Sequence, residues 1–168
     1  MMKLILVSDN HTEAGILHNI YEKHDDADAY FHLGDSEFTY NDTELSLFHR
    51  VKGNMDFYPE FPENDIFSLQ DIRFFYTHGH RMNVNQGREL LAQHAKENGA
   101  TFAFYGHTHV ARYEFIKGVH VINPGSISQS RSNEEETYAE IKLDDKRGTL
   151  NFRNRNHEIL STIPFEYE

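Results

Sequence analysis

The first third of the chain alternates short apolar runs with polar stretches of helical periodicity. Residues 3–7 form a continuous apolar run, as expected for a strand that is buried on both faces. A helical pattern follows over residues 12–23, with Thr12 as its predicted cap. Residues 29–33 predict a second strand, residues 43–48 a weaker helix and residues 50–52 a short third strand.

The rest of the chain has one more helical pattern, over residues 87–98, and many strands. Residues 65–69 and 72–77 predict a hairpin, and residues 101–105 predict a single strand. Two further hairpins are predicted, 110–116 with 119–122 and 137–143 with 149–155. The pattern therefore predicts one α/β domain, residues 1–168, with one largely parallel and one more antiparallel sheet. Helices outside two facing sheets would suit this order.

Polar side chains follow five of the predicted strands, at the point where each strand ends. The ligand crevice of an open α/β sheet lies outside the carboxyl ends of its strands, so these side chains are expected to meet. Glycines beside them allow the tight turns that this requires. The clusters are Asp9 with His11, Gly34 with Asp35, Gly53 with Asn54 and Asp56, His78 with His80, and Gly106 with His107 and His109.

Composition points these clusters towards metal binding. The chain has 12 His and no Cys, so disulfides, catalytic thiolates and Cys-ligated metals are excluded. Carboxylate oxygens with imidazole nitrogens suit Mn, Fe, Co, Ni or Zn better than Ca or Mg. Seven side chains of these clusters are candidate ligands: Asp9, His11, Asp35, Asn54, His78, His107 and His109. Seven ligands are too many for one tetrahedral ion, but they suit two ions that share a bridging carboxylate.

The ordered clusters resemble the motifs of the calcineurin-like metallophosphoesterase superfamily, which read D-x-H, G-D, G-N-H-[D/E], H and G-H-x-H. The start at the first strand and the sequence T-H-G-H over residues 77–80 are similar to its small single-domain phosphodiesterases of bacteria and archaea. The resemblance implies a four-layer α-β-β-α sandwich of two facing mixed sheets. It also implies a relation in fold to the retromer subunit of eukaryotes, which works mainly through protein contacts.

The resemblance implies a role for each ligand. Two divalent transition-metal ions are implied, Mn first, with Ni, Fe, Co or Zn as alternatives, and a hydroxide between them would attack phosphorus in line. Asn54 would also stabilise charge on the phosphoryl oxygens. By this carry-over, Asp9, His11 and His109 hold one ion, Asn54, His78 and His107 hold the other, and Asp35 bridges both.

The chain departs from the family pattern at Met55, where many members have a His that protonates the leaving oxygen. Methionine cannot donate that proton, so we predict weak action on poor leaving groups unless His80 or water takes the role. A monoesterase benefits more from a proton donor than a diesterase does. A phosphodiesterase is therefore the leading prediction, and a phosphomonoesterase or a nuclease is an alternative.

Several other residues are candidates for supporting roles. Arg81 could meet a substrate phosphate, with a surface ion pair as the alternative, and His32 and Asp56 could hydrogen-bond behind the ligands. Residues 123–126 are expected to close one side of the site, and residues 129–136 to form a mobile polar loop. Five other histidines are interpreted as surface or helix-face residues, namely His18, His24, His49, His94 and His157.

Charge and hydropathy limit the partners and the location. With 16 basic and 27 acidic residues the net charge is −11, which argues against nucleic acid as a partner. No apolar run is long enough to cross a membrane, and the run at residues 4–7 is too short for a signal-peptide core, so we expect a cytoplasmic protein. A small phosphate ester is the expected partner, with a homo-oligomer left open. A protein-interaction scaffold with a residual metal site is the rival interpretation.

Overall fold

The computed structural model describes residues 1–130 and 135–168. Residues 131–134 of the predicted mobile loop over residues 129–136 therefore lie outside the described residues. Within the described ranges the helices are α1 (Ile16–Lys23) and α2 (Glu89–Glu97), and Thr43–Leu45 is a single 3₁₀ turn. The strands are β1 (Met2–Val7), β2 (Ala29–His32), β3 (His49–Arg50), β4 (Asn64–Leu69), β5 (Ile72–Thr77), β6 (Phe102–Phe104), β7 (Arg112–Ile116), β8 (Val119–Asn123), β9 (Thr137–Asp144), β10 (Arg147–Asn154) and β11 (Ile159–Glu166).

The strands form two mixed sheets. The six-stranded sheet has the order β11-β10-β9-β1-β2-β3, and the five-stranded sheet has the order β4-β5-β6-β8-β7. The predicted division into a largely parallel and a more antiparallel sheet is wrong. The C-terminal strands do not make a sheet of their own, because β9 pairs antiparallel with β1 and extends the sheet that β1 and β2 begin in parallel. In the other sheet β5, β6 and β8 are parallel, with antiparallel strands at both edges.

Side chains that alternate along each buried strand separate the core into layers. Leu4 and Leu6 of β1 face the space between the sheets, where they join Phe102 and Phe104 of β6 in one buried cluster. The intervening residues of each strand face outwards and are covered by a helix. Ile5 packs with the apolar face of α1, and Ala103 packs with that of α2. The four-layer α-β-β-α sandwich is therefore confirmed.

Some element bounds differ from those that the sequence pattern predicts. Helix α1 begins at Ile16 and is preceded by Gly15, whose amide donates to Glu44 Oε2 at 2.8 Å, so Thr12 does not cap it. In α2 the buried side chains are Leu91, Ala92 and Ala95, whereas Leu90 is 47% exposed.

Strand β11 was not predicted. Its Pro164 argues against a central strand, but β11 lies at the edge of its sheet, where proline is tolerated. None of the helices in the described part of the chain is long and apolar enough to cross a membrane.

His24 is buried at 2% exposure and lies just after the end of α1, so its interpretation as a surface or helix-face residue is wrong. Its Nε2 lies 2.6 Å from the Tyr138 hydroxyl, which lies 2.8 Å from His157 Nδ1. Burial lowers the pKa of His24 to about 4, and the charge of Lys3 acts in the same direction. The imidazole is therefore neutral in the folded protein at pH 7.

We expect the free energy of unfolding to fall as the pH falls from 6.5 towards 4. In this interval the unfolded chain binds a proton at His24 that the folded chain excludes, so lower pH favours unfolding. His24→Gln removes this titration and should flatten the pH dependence, measured by urea unfolding at a series of pH values. His18→Gln on the same helix is the control, since His18 is exposed and paired with Glu22. Equal slopes for His24→Gln and the unchanged protein would contradict the prediction.

Candidate metal centre

The loops after five strands meet at one end of the sandwich. Strands β1, β2 and β3 run parallel in one sheet, and β5 and β6 run parallel in the other. Backbone hydrogen bonds join the loops directly: the amide of His11 donates to Asp35 O at 3.0 Å, and that of Gly106 donates to His78 O at 3.0 Å. The predicted convergence of polar clusters at the strand ends is therefore found in the structure.

Asp9, His11 and His109 form the first group that could hold an ion, with one candidate ligand atom from each within 4.8 Å of the others. Asp9 Oδ1 lies 3.3 Å from His109 Nε2 and 3.7 Å from His11 Nε2. The two imidazole Nε2 atoms lie 3.3 Å apart. This is the set that the family resemblance implies for one metal.

Asp9, Asp35 and His78 form the second group. Asp35 Oδ2 lies 3.2 Å from His78 Nε2 and 3.9 Å from His11 Nε2, which puts this carboxylate between the two groups. Asn54 Oδ1 lies 3.1 Å from His78 Nε2 and 3.2 Å from His107 Nδ1. All seven predicted ligands thus belong to one connected cluster, and Asp9 is shared by both groups.

Backbone and carboxylate acceptors orient three of the imidazoles. His78 Nδ1 donates to Leu33 O and His109 Nδ1 donates to Gln129 O, both at 2.6 Å, because a carbonyl can only accept. His11 Nδ1 lies 3.0 Å from Glu37 Oε2, which likewise only accepts when ionised. In each ring Nε2 then faces the cluster, and when the ring is neutral this nitrogen carries the free lone pair that a metal ligand needs.

The electrostatics of the cluster favour a cation. Asp9 is fully buried, and although burial opposes its ionisation, the positive charge of His78 holds its pKa well below the usual range. Burial lowers the pKa of His78, but the carboxylates of Asp9 and Asp35 overcome this and raise it to about 9. In the metal-free protein a proton on His78 therefore supplies positive charge that a metal ion could supply instead.

One buried oxygen tests whether the residues fit an ion. Asp9 Oδ1 has no hydrogen-bond partner among the described residues, yet it faces the Nε2 atoms of His11, His78 and His109 at 3.3 to 3.8 Å. An unpaired buried carboxylate oxygen costs free energy unless something satisfies it. A divalent cation bound by this oxygen and the facing nitrogens would do so, so the residues fit a metal.

The ligand loops adopt an unusual backbone. Five of the seven predicted ligands have positive φ angles between 42° and 72°, a region in which non-glycine residues are uncommon. Such residues cost of order 1–3 kcal/mol each and persist where the surrounding structure holds them, which is typical of functional sites. The five are Asp9, His11, Asp35, His107 and His109.

The two candidates for supporting hydrogen bonds lie just behind the ligands. Asp56 is buried, and its carboxylate accepts from the amides of Asp35, Gly53 and Glu37, each at 2.8 Å. It therefore fixes the backbone on both sides of the bridging position. His32 lies beneath the loops: its Nδ1 accepts from the amide of Gly34, and its Nε2 donates to Asn10 Oδ1 at 2.8 Å.

His80 and Arg81 lie beside the second group. The ring centroid of His80 is 5.4 Å from that of His78 and 6.2 Å from that of His107. Its Nδ1 is buried without a hydrogen-bond partner among the described residues, and its Nε2 lies 3.8 Å from Glu63 Oε2. Arg81 is 74% exposed at its side chain, and its Nε lies 3.8 Å from the same Glu63 oxygen.

The sequence did not predict a role for Glu37, and it did not predict which contacts residues 123–126 make with the site. Ser126 Oγ donates to Asp9 O, and Asn123 Nδ2 donates to Gly106 O, so this loop supports two ligand loops from one side. The N-P-G-S sequence signalled the loop but not these contacts. Glu37 follows Asp35 by two residues, and nothing in a single sequence separates it from an ordinary surface acid.

Glu37→Gln is expected to weaken metal binding by about 10- to 100-fold, the usual effect of losing a hydrogen-bond partner of a ligating histidine. The amide no longer presents a charged acceptor that selects the Nδ1–H form of His11. Calorimetric titration of the metal-free protein with Mn²⁺ measures this. Glu44→Gln is the control, because Glu44 accepts from the Gly15 amide before α1. Equal Mn²⁺ affinities in both variants would contradict the role of Glu37.

Comparisons with known proteins agree with this geometry. The family model for the calcineurin-like phosphoesterase superfamily domain matches residues 2–146. The Bacillus subtilis (strain 168) protein named Probable metallophosphoesterase YsnB is 32% identical over 152 residues, which cover 90% of each chain.

Solved structures show the same fold. A crystal structure from Streptococcus pneumoniae TIGR4, described as a predicted phosphoesterase, is 33% identical, covers 98% of this chain and 97% of its own, and has a TM-score of 0.93. Wild-type Vps29 of Entamoeba histolytica, solved in complex with Zn²⁺, is 18% identical, covers 99% of this chain and 100% of its own, and has a TM-score of 0.77. At that identity the second likeness shows the fold alone. With its family match, its relatives and its cluster of candidate ligands, the chain belongs to the calcineurin-like phosphoesterase superfamily.

Proposed function

We propose that the protein is a phosphodiesterase that hydrolyses a small phosphate ester with two divalent transition-metal ions, Mn²⁺ first among them. The observation that carries the proposal is the buried Asp9 Oδ1, which has no hydrogen-bond partner in the part of the chain that the structure describes and faces three imidazole nitrogens among seven candidate ligands. A cluster of this kind that has lost its function would have no reason to keep every ligand type. This favours an enzyme over a scaffold.

The chain's own residues have separate tasks in this proposal. Asp9, His11 and His109 would hold one ion, Asn54, His78 and His107 the other, and Asp35 would bridge them. When bound, such ions lower the pKa of water to give a nucleophile near neutral pH and stabilise charge on the phosphoryl oxygens. Asn54 is exposed at the mouth of the site, where its amide can also donate to a phosphoryl oxygen.

The preference for a diester is proposed from Met55. Its side chain is 40% exposed where many superfamily members have a proton donor, and its own amide donates to Asp35 Oδ1 at 2.8 Å. The backbone of this position thus contacts Asp35, but its side chain cannot act as the general acid. A diester with a good leaving group needs that acid less than a monoester does. Arg81, exposed beside His80, is proposed to meet the substrate phosphate.

His80 is proposed to protonate the leaving oxygen in place of the missing acid. We expect His80→Ala to lower kcat by about 100-fold for an alkyl leaving group, the usual contribution of a general acid, and far less for nitrophenolate, which leaves without a proton. Turnover of an aryl and an alkyl ester of the same phosphate measures this difference. His18→Ala is the control. The same loss on both esters would argue against a proton donor.

A paired assay tests the proposed function as a whole. Turnover of a bis-aryl and a mono-aryl phosphate is measured with Mn²⁺, Ni²⁺ or Zn²⁺, before and after chelation. The proposal expects chelator-sensitive hydrolysis that is restored by the metal and is faster for the diester. Faster hydrolysis of the monoester would overturn the diester preference. Absence of chelator-sensitive turnover on both substrates would overturn the proposal that the protein is an enzyme and would favour a scaffold.

A further inference from the structure

We propose that the ion pair between Arg155 and Glu13 positions the metal ligand His109, and so sets the affinity of the Asp9–His11–His109 group for its ion. The proposal rests on the metal site of the proposed function. Arg155 follows the end of β10 and lies beyond residue 146, where the match to the family model ends. None of the five motifs contains Arg155 or Glu13.

One guanidinium joins two loops of the site. Arg155 Nη1 donates to Glu13 Oε1 at 2.8 Å and to Ile127 O at 2.7 Å, and Arg155 Nη2 donates to Glu13 Oε2. A guanidinium that binds both oxygens of a carboxylate and a carbonyl holds all of them in a fixed plane. We call this arrangement of Arg155, Glu13 and Ile127 O the clamp.

On one side the clamp continues into the loop that carries Asp9 and His11. The amide of Glu13 donates to Asn10 O at 3.0 Å, and Asn10 Nδ2 donates to Glu13 O at 3.1 Å. The segment from Asn10 to Glu13 is therefore closed on itself, with His11 inside it. Holding the Glu13 side chain thus restrains the short loop from which His11 projects.

On the other side the clamp continues into the turn that orients His109. Ile127 lies within residues 126–129, where Ser126 Oγ accepts from the amides of Ser128 and Gln129 at 3.2 and 2.8 Å. Ser128 Oγ donates to Glu13 Oε1 at 2.6 Å, which ties the turn to the clamp a second time. The turn ends in Gln129 O, the carbonyl to which His109 Nδ1 donates at 2.6 Å.

The direction in which metal affinity changes when Arg155 is removed distinguishes positioning by the clamp from a simple effect of charge. Arg155 carries positive charge, so its removal should strengthen cation binding if charge alone mattered. If the clamp instead holds Gln129 O, the carbonyl that fixes His109, then removal of Arg155 loosens the hydrogen bond at His109 Nδ1 and weakens metal binding. Loss of an outer hydrogen-bond partner typically costs 10- to 100-fold in metal affinity. For a residue one step further out we expect about tenfold.

The test uses Arg155→Gln in the full chain with two readouts. The first is the tautomer of His109 in the metal-free protein, read from the ¹⁵N shifts of its ring nitrogens by NMR. We expect the unchanged protein to hold the Nδ1–H form and the variant to populate a mixture of forms. The second is calorimetric titration with Mn²⁺, in which one of the two ions should bind about tenfold more weakly while the other is unaffected.

The chain offers a matched control in Arg88. Its guanidinium also binds both oxygens of a glutamate, Glu114, at 2.7 and 3.2 Å, and donates to a carbonyl, Val84 O, at 3.0 Å. Arg88→Gln thus removes an equivalent ion pair whose hydrogen-bond partners, Glu114 and Val84, are not bonded to the loops that the clamp joins, and it should leave both readouts unchanged. Arg155→Lys keeps the charge but loses the planar fork, so it should restore affinity only in part.

An unaltered His109 tautomer in Arg155→Gln, or tighter Mn²⁺ binding, would overturn the proposal. Failure of the proposed function can be told apart from failure of the clamp. The tautomer of His109 is measured without substrate, so it can be read even if the protein has no phosphoesterase turnover. If the unchanged protein binds no Mn²⁺, the tautomer decides: an equal Nδ1–H population in both proteins rejects the clamp as a positioning device. The reverse case, turnover with no effect of Arg155→Gln on either readout, rejects the clamp alone.

Discussion

Asp35→Asn is expected to lower kcat/KM for a phosphodiester by about 1,000-fold or more and to remove bound metal. Asp35 Oδ2 lies between the two groups, 3.2 Å from His78 Nε2 and 3.9 Å from His11 Nε2, so in the proposed site this single carboxylate would serve both ions. Metal ions supply several kcal/mol of transition-state stabilisation, and each 1.36 kcal/mol is about tenfold in rate. An uncharged amide in the bridging position cannot balance two divalent cations.

Metal content by elemental analysis and turnover of a bis-aryl phosphate check this expectation together. Asp42→Asn is the control, because Asp42 accepts from the Glu44 amide at the 3₁₀ turn. The control should keep both the metal and the activity. A variant at Asp35 that retained two ions per chain and half of the turnover would show that the carboxylate does not bridge.

Gly53→Ala is expected to be the most damaging single-methyl change at the site. A Cβ at this position would lie 2.1 Å from Asp35 Oδ1 and 2.3 Å from the Asp35 backbone nitrogen, well inside van der Waals contact. Since the backbone cannot yield as a flexible side chain does, we expect the free energy of unfolding to fall by about 3 kcal/mol, the upper part of the range for overpacking. The bridging carboxylate must also move, so Mn²⁺ binding should weaken.

Urea unfolding of the metal-free protein and calorimetry with Mn²⁺ separate the two effects. Gly118→Ala is the matched control: Gly118 has a φ of +81°, and a Cβ there meets nothing within 4 Å. Its cost is the left-handed backbone alone, about 1–2 kcal/mol, with metal binding unchanged. If both variants lost equal stability and kept equal Mn²⁺ affinity, the close approach of Gly53 to Asp35 would have no importance.

The sequence predicted the site better than it predicted the connections around it. Candidate ligands follow short, strongly apolar strands, and in parallel strands such positions must fall at one edge of the sheet. That is why side chains as distant in the chain as Asp9 and His109 could be expected together, and the structure places their atoms 3.3 Å apart.

What the sequence could not predict depends on contacts between distant segments. The sequence pattern predicts a helix from residue 12, but His11 and Thr12 have left-handed backbones because their amides donate to the carbonyls of residues 35 and 36. Strand β11 forms because an edge is free next to β10, which local propensity cannot reveal. His24 is buried by Tyr138, a residue 114 positions away.

The origin of the ligands in two different sheets has a consequence beyond chemistry. In the first group Asp9 and His11 follow β1 of the six-stranded sheet, whereas His109 follows β6 of the five-stranded sheet, and the second group likewise takes His78 from after β5. An ion held by either group therefore fastens one sheet to the other, and its binding free energy adds to that of folding. The supply of metal ions would then govern how long the folded chain survives, as well as the turnover proposed for it.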